Sequence, residues 1–160
     1  MLRFRPWVLV VLVLILGAVA RAEQFSDRAA LQALVRSADA VALSRCDRGV
    51  SSWSGDPPII VTRQQCRVVR AFKGQPAEQI SVQTLGGQVG DVSMSASAGA
   101  AIAPDTDAVL LLRRSEFGAY YVVNGGAAGA LSVAGGYTAP TVDGRSFDDF
   151  ARWVEEVGTP

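Results

Sequence analysis

The chain of 160 residues contains no histidine, two cysteines and a single lysine, Lys73. Without imidazole there is no Ser-His-Asp triad, no Cys-His dyad, no histidine general base and no zinc site built on imidazole. Two cysteines cannot close a structural zinc site by themselves. An excess of one charge is missing as well, since 15 Lys+Arg stand against 15 Asp+Glu. A nucleic-acid binder or a binder of anionic lipid carries a basic footprint, and this chain has none. Much of enzymology is removed before any motif is read.

What is present begins with a leader. Met1 to Ala22 has two early arginines, an apolar run from Trp7 to Ala20, and Ala20-Arg21-Ala22 as a small-x-small cleavage signal. The run covers roughly 21 Å as a helix, short of the ~30 Å that a permanent span needs. Residues 1–22 are therefore expected to be a cleaved Sec-type signal, with residues 23–160 forming one domain in the periplasm or outside the cell. An uncleaved anchor is the rival. Arg3 and Arg5 are not adjacent, which does not support twin-arginine export. The leader holds three arginines and no acid, so the mature chain has 12 basic and 15 acidic residues, a net charge of −3.

Export gives the cysteines meaning. Cys46 and Cys66 both lie in the mature part, and an oxidising compartment favours joining them. The spacing is not the C-x-x-C of a redox pair. A structural disulfide is the expectation.

Along the mature chain, Ser26 to Ala38 reads as a short helix. Ser26 is its N-cap, Phe25 a staple onto Ala30, and Ala30, Leu31, Leu34 and Val35 its apolar stripe. Strand-like runs follow at 40–46, 59–72, 79–85, 89–97, 108–112, 120–123 and 128–133, separated by glycine, proline and asparagine turns. Ala108-Val-Leu-Leu-Leu112 is continuously apolar, as a strand buried on both faces is. Ser146-Phe-Asp-Asp149 resembles a capping box and opens a C-terminal helix carrying Phe147, Phe150, Trp153 and Val154. Six or seven short strands with flanking helices argue for a mainly β fold, a small antiparallel barrel with an N-terminal and a C-terminal helix. A hairpin with Cys46 opposite Cys66 predicts Leu43 opposite Val69 and Val41 opposite Ala71. Cys46 has the opposite parity from those two apolar residues, so either the bridge is on the outer face or a bulge intervenes.

Several segments together resemble a family of exported bacterial proteins of uncharacterised activity. They are Ala38-Asp39-Ala40-Val41, Ala71-Phe72-Lys73-Gly74, Gly86-Gly87-Gln88-Val89-Gly90, Pro104-Asp105 before Val109-Leu110-Leu111-Leu112, and Gly125-Gly126-Ala127-Ala128-Gly129. The layout is similar to the OB-fold barrels of netrin-like and TIMP-like domains. The resemblance implies a fold more than a function. TIMP-like inhibitors reach a catalytic zinc through an N-terminal cysteine. The expected mature N-terminus here is Glu23-Gln24, and no cysteine precedes Cys46.

Candidate sites are few. Gly86 to Asp91 lacks the GxGxxG spacing and reads as a tight strand connection. Asp105-Thr106-Asp107 reads as turn residues, not as a calcium loop. Tyr120, Tyr121 and Trp153 read as core and rim. A Ser-Lys dyad would need Lys73 buried beside a serine. The polar loop Asp47 to Pro58 is the best interaction candidate, with Trp53, Arg48 and Asp56 as contact residues, because OB barrels often bind through the loop after the first strand. Trp53 folded back over the barrel mouth is the competing reading. The functional expectation is an exported, non-enzymatic binding module with an extracytoplasmic protein partner and no cofactor or metal. Modulation of an extracytoplasmic protease is the alternative, and a small carboxylate-based hydrolase a further one.

Overall fold

The structure, a computed structural model, describes residues 28–96, 100–123, 127–135 and 140–158. The expected leader, the Ser26 cap, the Phe25 staple and the Asn124–Gly126 turn lie outside these residues. The chain divides into two compact units, residues 1–33 and 34–160. Of the first, residues 28–33 are described and are helical. They open helix α1 (28–37), whose last four residues belong to the second unit. Every strand and the C-terminal helix belong to the second unit as well.

The frame of that unit is a closed barrel of five strands: β1 (Ala40–Cys46), β3 (Ile59–Lys73), β4 (Gln79–Leu85), β7 (Asp107–Arg114) and β8 (Tyr120–Val122). The order is β1-β3-β4-β8-β7, and β7 returns to β1. Every pairing is antiparallel except β4 with β8. In barrel order this is first, second, third, fifth, fourth, the layout of an OB barrel. The remaining strands extend it. β2 (Val50–Ser54) pairs with β3, and β5 (Gly87–Val89) with β6 (Val92–Met94). β9 (Ala130–Ala134) pairs with β7, then β10 (Thr141–Val142) and β11 (Arg145–Ser146) lead into α2 (Phe147–Gly158).

The barrel interior is filled by Ala40, Cys46, Cys66, Ile80, Val82, Leu110, Leu112, Tyr120 and Val122, with Ala100 and Ile102 from the connection before β7. Alternation explains the set, since every second residue of each strand points inward. The Cys46–Cys66 disulfide is part of this core, with Cα atoms 3.9 Å apart. The parity puzzle of the sequence has a simple answer. Val41 and Leu43 are also buried, on the outer face, because that wall of the barrel is covered. β7 behaves likewise, and Val109 to Leu112 are all fully buried.

The register needs one correction. Cys46–Cys66 and Ser44–Val68 follow the simple hairpin, but Leu43 faces Arg70 and Val41 faces Lys73. Irregularities at Leu43/Ser44 and Val41/Ala42 each move the pairing on. Such bulges bend a long strand around a small barrel.

A second layer lies against β3, β10 and β11, where α2 packs. Phe150 is fully buried, and its ring meets Phe72 edge-on at 5.2 Å. Val154 and Val157 complete the buried stripe. Ser146 caps the helix by accepting the amide of Asp149 at 3.2 Å, while its hydroxyl donates to the Asp149 carboxylate at 2.7 Å. Lys73 caps α1, donating to the carbonyls of Val35 at 2.8 Å and Arg36 at 3.1 Å.

Candidate functional site

β1 and β2 follow one another along the same edge of β3, and β4 takes the opposite edge. Residues 47–49 form the step between them. Asp47 fixes that step, because its amide donates to the Gln65 carbonyl and its carboxylate accepts the Gln65 amide. Gln64 is buried and donates to the carbonyls of Asp47 and Ile102, closing that end of the barrel. The segment read from sequence as a polar loop is therefore a β-hairpin, with β2 and β3 joined by the turn 55–58. Its serines have a task. Ser51 and Thr62 lie opposite each other with hydroxyls 2.9 Å apart, and Thr62 donates to the Gly86 carbonyl. Gly87 crosses directly over this pair, where a Cβ would stand 2.3 Å from the Ser51 hydroxyl oxygen. Only glycine fits that approach, which anchors the β5–β6 hairpin on one face of β2–β3. The Gly86-Gly87 segment is thus the tight connection expected, with Gly86 at φ +95° and Gly87 at φ +134°.

On the barrel's outer face, in-register partners form a continuous row: Val50, Arg63, Gln83, Tyr121 and Arg113. Arg63 donates to Gln83 at 3.1 Å. Beside the row, Ser52, Val61 and Leu85 make the next. β4 and β8 are paired only through Val82–Tyr120 and Gln83–Tyr121, after which they part. The gap is a hollow of about 290 Å³ lined by Gln83, Thr84, Leu85, Tyr121 and Val122. A dry cavity of about 150 Å³ accepts benzene, so the hollow has room for an aromatic or branched aliphatic side chain.

This wall collects exposed apolar groups. Val50 is 72% exposed, Leu85 48% and Tyr121 40%, and the adjoining 115–119 loop presents Phe117 at 94%. Trp53, on the β2 face that carries Ile60, is 49% exposed, so it neither folds fully into the core nor stands free. Arg48 precedes β2 and Asp56 sits in the turn beyond it, both exposed. No hydrogen bond joins Trp53, Arg48 and Asp56 to one another among the described residues. Sequence patterning does not single out Phe117, Leu85, Tyr121 or Val50 as contact residues, and it places Tyr121 in core or rim. Phe117 had a readable signal, an aromatic in Ser-Glu-Phe-Gly between two strands.

Several charged groups are committed elsewhere. Arg45 and Asp107 form a two-pronged ion pair at 2.8 and 2.9 Å, so Asp107 belongs to β7 rather than to a turn. Asp148 pairs with Arg70 at 3.0 Å, Asp143 with Arg145, and Asp149 with Arg152. The bonds from Ser146 and then Arg152 hold the Asp149 carboxyl below its ordinary value. The Lys73 ammonium spends its donors on backbone carbonyls, beside a hollow of about 360 Å³ that includes Arg70, Phe72 and Glu155. That geometry gives it no serine to activate. Among the described residues no three acids or cysteines are gathered to hold a metal ion, and no helix is long and apolar enough to cross a membrane.

No family model matches the chain, and no curated protein matches it significantly.

Proposed function

We propose that the chain is an exported, non-enzymatic binding module whose partner is an extracytoplasmic protein seated on the wall formed by β2, β3, β4 and β8. One observation carries this reading: Leu85 and Tyr121, both exposed, line a hollow of about 290 Å³, and the exposed Val50 stands in the same row of in-register partners as Tyr121. Scattered exposed apolar residues are ordinary on a soluble surface, but a gathered set marks an interaction site. From Val50 to Tyr121 the row spans three inter-strand steps, roughly 14 Å at ~4.8 Å each. Binding across the second and third barrel strands is also the habit of OB barrels. The buried disulfide and the leader-like first 22 residues support export. The absence of histidine, together with acids held in ion pairs, supports a non-catalytic role.

The test is affinity capture by the tagged chain 23–160 from the extracytoplasmic fraction of its own cells, with four variants in parallel. Leu85→Asp and Tyr121→Ala alter the proposed wall, Trp53→Ala alters the β2 hairpin, and Val69→Asp is a control at an exposed valine elsewhere on β3. A partner lost with the first two and kept by the control supports the reading, and a protease as that partner favours the modulator alternative. A partner bound equally by all four variants, or none at all, sinks it.

A further inference from the structure

β2 is paired on one edge only. Its register with β3 runs unbroken from Val50–Arg63 to Ser54–Ile59, and among the described residues no strand or backbone hydrogen bond uses its other edge. Proteins usually blunt such an edge with a charge, a proline or a bulge. Val50-Ser-Ser-Trp-Ser54 has none of these. The β5–β6 hairpin does not cap it either, because that hairpin lies over the Ser51–Thr62 pair, on the face of the sheet.

The sequence around Ser52 has the pattern a two-fold axis requires. It reads Arg48-Gly-Val-Ser-Ser-Trp-Ser-Gly-Asp56. If two copies of this edge meet antiparallel about Ser52, Val50 lies opposite Ser54, Ser51 opposite Trp53, and Gly49 opposite Gly55. Arg48, just before the strand, and Asp56, in the turn just after it, then come from opposite copies to the same end of the contact, so each end brings opposite charges together. Both residues are exposed and have no ion pair or hydrogen bond among the described residues. Sliding the register by two residues separates these charges, and sliding by one sends Trp53 to the wrong face.

We propose that the free edge of β2 is a self-recognition edge, on which a second copy of this chain adds antiparallel about Ser52, with Arg48 and Asp56 as the charges that set the register. The surface is distinct from the β4–β8 hollow and does not depend on what binds there. Its extent, one five-residue strand from each side, is small against the ~1,600 Å² of a standard stable interface, so the dimer is a weak one that forms with concentration. It is isologous, as two-fold interfaces are.

The experiment is sedimentation equilibrium of the mature, oxidised chain from about 5 µM to about 1 mM, a window that resolves weak dimers. The wild-type chain is expected to pass from monomer to dimer across it. Arg48→Asp alone and Asp56→Arg alone each replace two attractions by two repulsions, and each is expected to weaken self-association roughly tenfold. The decisive arm mixes the two single variants. Each repels itself, but Arg48→Asp on one copy and Asp56→Arg on the other are complementary at both ends, so the mixture is expected to dimerise as the wild type does. The double exchange in one chain restores it likewise. A wild-type chain that stays monomeric to the top of the range overturns the proposal, even if a foreign extended peptide binds the edge. So does a dimer indifferent to the charge variants, or single variants that do not rescue each other.

Discussion

The two sides of this barrel are built from the same kind of strand and have opposite fates. On the β1–β7 side nearly every residue from Ala40 to Leu43 and from Val109 to Leu112 is buried, inward and outward alike. On the β4–β8 side alternation persists, with Ile80, Val82, Tyr120 and Val122 facing in and Leu85 and Tyr121 left in water. A half-covered barrel needs apolar residues on the outside only where something rests on them. Apolar residues on the uncovered side therefore contribute little to folding, and their presence calls for another explanation. That contrast is the physical basis for placing the proposed binding surface there.

Truncation on each side tests the contrast most directly. Leu111→Ala, on the buried outer face of β7, is expected to cost about 4 kcal/mol of unfolding free energy, whereas Tyr121→Ala on the open wall costs about 0.5 kcal/mol. Urea titrations of the two variants give the ratio. Equal costs would make the open wall ordinary core and remove the reason for a site there. The next effect belongs to the interior that both walls share. Replacing both Cys46 and Cys66 by serine opens a bridge across a separation of 20 residues, worth about 3 kcal/mol in the chain-entropy account. Intact mass under alkylation, without reductant, is expected to show no free thiol in the native protein. The smallest effect lies at the start of α2. The Asp149 carboxyl is held low by Ser146 and Arg152 in the folded chain. Its contribution is complete above the ordinary carboxylate range and is lost as pH falls through the depressed folded value. Asp149→Asn is expected to flatten that part of the acid limb, read by helix circular dichroism against pH. An unchanged acid limb would show that the cap does not couple to folding.

Much of the framework was legible in the chain. The unbroken apolar run of β7, the ends of β1 and β4, the Ser146 cap and the cysteine pairing all follow from local chemistry, which sequence displays. Three features did not. β2 hid inside a serine-rich stretch because its stability comes from β3 beside it, and its own apolar residues do not alternate. A bulge in the β1–β3 hairpin was one of two alternatives that the cysteine parity left open, but the number and places of the bulges answer to barrel curvature, a property of the closed sheet and of no single residue. The exposure of Leu85 and Tyr121 was out of reach for the same kind of reason. Periodicity says which face a residue is on but cannot say whether that face is covered, and cover is decided by which distant elements come to pack there. Arg48, Trp53 and Asp56 read from sequence as members of a contact loop. They belong instead to a strand that, among the described residues, is paired on one edge, and to its flanks, which changes what they are able to meet.

The position of the disulfide has a consequence for how the molecule breathes. β3 is 15 residues long, about 50 Å of chain at ~3.3 Å per residue. Its first half carries β2 beyond the end of β1, and its second half lies between β1 and α2. Cys66 sits at the changeover, tied to the last residue of β1. Fraying that starts at the exposed turn 55–58 can run back along the hairpin only as far as that tie. Amides of β2 then exchange with solvent through local opening, while those of β3, held by β4 from Val61 to Arg67 and by β1 beyond Cys66, must wait for the whole barrel to come apart. The bridge is a firebreak, separating a hairpin that can open on its own from a barrel that opens only as a unit.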